Sequence, residues 1–250
     1  MTLRSRTWLS VLAVLLMVPA LLLAATKKPS IAKGSAKPDP KAETVEMFAA
    51  MESGDIDVKL IPKNAEEARI LVTNNTKKPL RIEMPAAFAG VPVLAQFGGG
   101  GMGGGGMGGG GGGMGGGGGF FNVAPEKIGQ VKVGLLCLEH GKKDPRPGIP
   151  YEIKPIDALT SNPAVHELLR QFANDKYNQR AAQAAAWHLN NNMSWQELAA
   201  KRIPHLNRPS EPYFSRSELE AAMRVAQDAK TLAEKIEKPQ PTTTTIASVK

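Results

Sequence analysis

The stretch LLCLEHGKKDPRPGIPYEI holds the chain's only cysteine, Cys137, with Glu139, His140 and Asp144 close behind it. A thiol and an imidazole three residues apart supply half of a metal site, or a nucleophile with its base. Copper sites of the cupredoxin kind need a second histidine upstream, and His140 is the first in the chain. Zinc would have to recruit ligands from distant positions. If the strand carrying Cys137 runs on to His140, the odd spacing turns the imidazole to the opposite face. A buried structural thiol is therefore the expectation for Cys137. His166 and His188 sit beside apolar helical faces and His205 in a loop-like stretch, where boundary roles are expected. An enzyme would have to assemble its site from scattered groups such as Glu139, His140, Asp144 and His188. No G-x-S-x-G or H-E-x-x-H occurs to shorten that search.

Met102, Met107 and Met114 form the second set, the only side chains in a run of glycines over 98–119. Thioethers are soft ligands suited to Cu(I). Their spacings differ, and a glycine chain would lose much entropy in gathering them. No metal or cofactor is expected; Met102, Met107, Met114, Cys137 and His140 remain weak metal candidates. The run contains G-x-G-x-x-G by composition alone. A phosphate cradle needs a helix N-terminus next, whereas FFNVAPEKIG follows, with Pro125, and no Gly-Lys-Ser/Thr appears.

The elements that must position these residues begin after an exported-protein leader. Arg4 and Arg6 precede an apolar run from Trp8 to Ala25, broken only by Ser10 and Pro19, which reads as a signal peptide over 1–25. A retained anchor is the other reading of that run, since it approaches the length that spans a bilayer. With one cysteine, an exported chain has no internal disulfide and must hold together by packing. The net charge of +8 is concentrated in the arginines of the leader and in the lysines of a Pro- and Ser-rich linker over 26–42; beyond it, 24 basic residues face 22 acidic ones. That balance lacks the basic stripe of a nucleic-acid binder, so the expected partner is a protein or cell-envelope component.

From 43 to 157 the pattern predicts a β domain. AETVEMFAAMESGD, with Val45, Phe48, Ala49 and Met51 near helical spacing, predicts a short capping helix. DIDVKLIP, EARILVTNN and KPLRIEMP alternate apolar and polar residues as half-buried strands do, VPVLAQF and GQVKVGLLCLEHG add two, and IPYEIKP reads as an edge strand. Strands at this spacing predict an α+β chain built on a small immunoglobulin-like β-sandwich. The glycine run would loop out between two of its strands, at a closure cost only about 1.5 kcal/mol above that of a four-residue turn.

Beyond Ile156 the period becomes helical. Over 158–204 a helical subdomain is expected: Ser161 or Asn162 caps the first helix, an alanine-rich helix follows, and the Ser194–Glu197 box opens a third. Trp187 and Trp195 are expected to anchor it. Over 205–238 a loop leads into a long helix capped by Ser217 with Glu220, with Leu219, Ala222, Ala226, Ala229, Ala233 and Ile236 on one face, packed within the chain. The tail 239–250 reads as disordered.

VTNNTKKPLRIEMP, CLEHGKKDPRPGIPYEI and AAQAAAWHLNNNMSWQELAAK together resemble uncharacterised exported proteins of planctomycete-type bacteria. The resemblance implies an exported bacterial domain and brings no activity. The reading reached from sequence is a secreted or periplasmic, non-enzymatic binding or structural module. Copper handling by the Met/Gly loop and an enzyme built around Glu139 and His140 are the alternatives.

Overall fold

A computed structural model describes residues 31–33, 39–93, 107–109 and 119–237 of the chain. The expected signal peptide and C-terminal tail lie outside the described residues, as do Met102 and Met114. In chain order the first elements are β1 (Ile31–Lys33), β2 (Glu43–Glu46), α1 (Met47–Glu52), β3 (Ile56–Pro62), β4 (Glu67–Asn74), β5 (Leu80–Glu83) and β6 (Phe88–Pro92). They are followed by β7 (Met107–Gly109), β8 (Phe120–Val123), β9 (Ile128–Cys137) and β10 (Tyr151–Pro155). The helical part holds α2 (Pro163–Ala173), α3 (Gln179–Asn191), α4 (Trp195–Ala200) and α5 (Arg216–Glu237), with a small β11 (Arg202–Ile203) and β12 (Glu211–Pro212) ribbon before α5. The chain is α+β, as its two periodicities require.

The large sheet runs β1-β9-β4-β3-β10-β6-β7, and β7 pairs with β9 as well, so the sheet curls until it meets itself. Apart from the parallel β1–β9 pair, its ladders are antiparallel. A smaller sheet, β2-β5-β8, has a parallel β2–β5 pair. The immunoglobulin-like sandwich expected from strand spacing does not emerge. Spacing reports how many strands a chain can make, and pairing partners are decided by contacts distant in sequence. The expected edge strand, β10, lies inside the sheet between β3 and β6, with Tyr151 and Ile153 buried and Glu152 and Lys154 exposed. The stretch expected as one helix divides into β2 and α1, because Met47 and Ala50, rather than Phe48 and Ala49, are its buried residues. Part of the expected linker, β1, and part of the glycine run, β7, serve as strands along one edge of β9.

Two apolar clusters share β9. Ile70, Val72, Ile82, Phe88, Phe121, Val133 and Leu135 fill the space enclosed by the sheets. Leu136 and Leu138 turn the other way, into a cluster with α2, α3 and α5. Asn74, only 1% exposed, ties the sheets: its Nδ2 donates to the carbonyls of Lys78 at 2.8 Å and Val123 at 3.1 Å, and its Oδ1 accepts from the Thr76 amide. Helix α5 lays Leu219, Ala222, Ala226, Ala229 and Ala233 against the other helices, while Ile236 stays exposed. Its cap is Ser215 with Glu218, two residues earlier than expected; Glu220 pairs with Arg216 instead. Among the described residues no helix is long and apolar enough to cross a membrane.

Candidate functional site

The site is built where β9 ends. On one side Cys137 lies in register opposite Met107 of β7. On the other, amide side chains of α3 take over the hydrogen bonding that a further strand would supply. Gln183 Oε1 accepts from the Cys137 amide at 2.9 Å and its Nε2 donates to the Cys137 carbonyl at 2.8 Å. Gln179 and Asn190 donate to the carbonyls of Leu135 and Leu138, each at 2.7 Å, and Asn191 accepts from the His140 amide at 3.3 Å. These residues share a helical face, and the alanines between them let α3 approach closely. Burying the peptide groups of Cys137 without such partners would be costly.

The turn after Cys137 then brings His140 to the rim of α3, so the imidazole is not carried onward by a strand as the alternation had implied. Its ring meets Trp187 edge-on at 4.8 Å, and its Nε2 lies 2.9 Å from Lys201 Nζ. An ammonium only donates, so Nε2 is the acceptor and the ring proton is assigned to Nδ1. Burial and the Lys201 charge hold the His140 pKa below its ordinary value, against an opposing pull from Glu197. Lys201 follows the last turn of α4, whose capping box Ser194–Glu197 is present as expected. The ammonium sits 5.1 Å from the Trp187 ring centre and 5.0 Å from that of Tyr213. Tyr213 and Phe214 pack on Trp187 at 5.5 and 5.8 Å, and Arg180 covers both from outside. Trp187 is 6% exposed, and its Nε1 is buried without a hydrogen-bond partner.

Between this cluster and the turn 139–144 lies a cleft of about 180 Å³, with Cys137 at its wall. The Cys137 thiol is buried: its Sγ is 4.0 Å from the Ala65 carbonyl, and burial, aided by Asp144, pushes its pKa up to about 12. Burial likewise raises the Tyr213 hydroxyl, partly offset by Arg180. Glu139, His140 and Asp144 do line this one cleft. His188 lies in a different one, its Nδ1 2.8 Å from the Met193 carbonyl and its ring stacked on Trp195 at 4.2 Å. His166 is held by the Thr160 carbonyl and His205 lies 3.2 Å from Glu211. Among the described residues no three His, Cys, Asp or Glu side chains gather as a metal-binding group.

Sequence reasoning passed over Lys201, Tyr213 and Gln183. Gln183 left a signal, a lone amide inside an alanine run; Lys201 and Tyr213 looked like any helix-end lysine and loop aromatic. No protein-family model, curated protein or solved structure matches the chain.

Proposed function

We propose that this protein is an exported, non-enzymatic binding module that engages a protein or other component of the cell envelope through the cleft at the end of β9. Export rests on the N-terminal arginines and apolar run, together with a body that has no disulfide and is stabilised by two packed clusters. The observation that carries the binding reading is the Lys201 ammonium, gripped between the rings of Trp187 and Tyr213 and bonded to His140. Such an arrangement fixes the shape and charge of a recognition surface. It suits reaction poorly, because it occupies the acceptor nitrogen of His140, while the neighbouring thiol stays protonated at neutral pH.

The test is affinity capture from the envelope fraction of the native cell with the full chain and with a Lys201→Met variant. We expect a specific component retained by the first and lost, about tenfold, by the second. Equal recovery by both would remove the cleft from the reading. Turnover of ester, peptide or glycoside substrates that disappears in His140→Ala would replace binding with catalysis, a role for which the shared cleft of Glu139, His140 and Asp144 provides the footing.

One observation keeps the copper reading: the backbone register pairs Met107, a residue of the Met/Gly run, with Cys137. Titration of the full chain with Cu(I) under reducing conditions decides it. An affinity unchanged when Met102, Met107, Met114 and Cys137 are replaced together would end that reading.

A further inference from the structure

We infer that the cleft beside Trp187 and Lys201 is a binding site for a carboxylate ligand about the size of one amino-acid residue. The inference rests on the reading of the protein as a binding module and assigns that module a ligand chemistry.

The inner wall has donors in excess of acceptors. Lys201 Nζ carries three N–H groups, of which the His140 imidazole accepts one at 2.9 Å. The Trp187 and Tyr213 rings, near 5 Å, offer only π faces to the rest. None of these three neighbours bears a negative charge, so the half-buried ammonium is held by neutral groups. An added acceptor with a negative charge answers the two Lys201 N–H groups left over, and a carboxylate is the planar group that can take two N–H bonds at once.

Size and rim narrow the class. A space of about 180 Å³ holds a ligand of one residue, not a sugar chain or a nucleotide. Its mouth carries both signs, Lys142 and Lys143 with Glu139 and Asp144, which suits a carboxylate on a zwitterionic body that also carries both. The aromatic walls Trp187 and Tyr213 give that body an apolar surface to lie on. A free amino acid and the C-terminal residue of a peptide both present this chemistry.

The experiment titrates the full chain with N-acetylglycine, glycine, a tripeptide with a free C-terminus and the same tripeptide as its C-terminal amide. Binding is followed by the indole N–H resonance of Trp187 and by calorimetry. We expect the three carboxylates to shift that resonance at millimolar concentration or below, and the amide to bind at least tenfold more weakly. Tighter binding of the tripeptide than of glycine assigns the source as a chain terminus; the reverse assigns a free amino acid. Lys201→Met should weaken the carboxylates about tenfold or more, with Lys201→Gln as a second variant should the first unfold. The acid-against-amide comparison needs no variant. Equal affinity for acid and amide, or no shift of the Trp187 indole by any of them, overturns the inference. Envelope capture that stays sensitive to Lys201→Met while no carboxylate binds would sink this inference and leave the binding module standing.

Discussion

Gln183 carries more of the site than any residue named from sequence alone. Its amide pairs with both peptide groups of Cys137, 46 residues away, from a side chain only 8% exposed. Replacing it with alanine leaves two buried backbone groups unpaired, and we expect a loss of about 2–4 kcal/mol in urea unfolding. A change below about 1 kcal/mol would mean that water enters and takes its place. Cys137 itself should resist alkylation at pH 8 in the native chain and react once the chain is unfolded, since its proton leaves only near pH 12. His140 gives a pH signature. Its folded pKa lies below 6.5, so the unfolded chain takes up the proton first. The stability it protects is complete above about pH 6.5 and declines as pH falls into the window beneath it. Between pH 7 and pH 5 the wild type should lose stability that His140→Gln retains; parallel curves would detach the effect from this imidazole. These roles were only partly legible. The sequence marks Cys137 and His140 as unusual and Gln183 as a lone amide in an alanine run, but the partner that amide meets, β9, is set by contacts distant in sequence.

At the level of elements, alternation and capping were the readable signals. Asn162 caps α2, Ser194 and Glu197 close the box of α4, and β3 and β4 bury alternate residues. What failed were boundaries and neighbours. Two overlapping serine–glutamate pairs, Ser215 with Glu218 and Ser217 with Glu220, have the same spacing at the start of α5, so spacing alone does not choose between them, and the helix takes the first. Strand β10 looked like an edge because it is short and bounded by Pro150 and Pro155, yet its partners β3 and β6 lie far back in the chain. Close packing of α2 on the sheet depends on Gly134. A Cβ there would fall 2.9 Å from the Phe172 ring, whose side chain is buried. Gly134→Ala should therefore cost about 1–3 kcal/mol, and Phe172→Leu in the same chain should return part of it. Strict additivity of the two changes would show that helix and strand do not press on each other at this point.

Across the whole molecule, β9 belongs to both apolar clusters, feeding Val133 and Leu135 to one and Leu136, with Leu138 just past its end, to the other. Sequence suggested two successive regions, a β domain and a helical one, because periodicity changes near Ile156. It gave no hint that one strand serves both. Truncation before Ser215 should expose the apolar faces of α2 and α3 and raise dye binding, while amides of β3 and β4 keep their protection from hydrogen exchange. Loss of both protections together would mean that the clusters unfold as one unit. The curling of the large sheet was equally hidden, since glycines carry no hydrophobic pattern from which a strand can be recognised.

That curl is completed by β7, two of whose three residues are glycine. A glycine rung stitches neighbours through peptide groups but offers no interlocking side chains, and it gives up the most freedom when fixed. The ring accordingly has a seam, sewn lightly between β6 and β9 and beginning at the residue that faces Cys137. A pull on the polypeptide would unpick that line before any other, baring the flank of β9 beside the Lys201 cluster while the remaining ladders held.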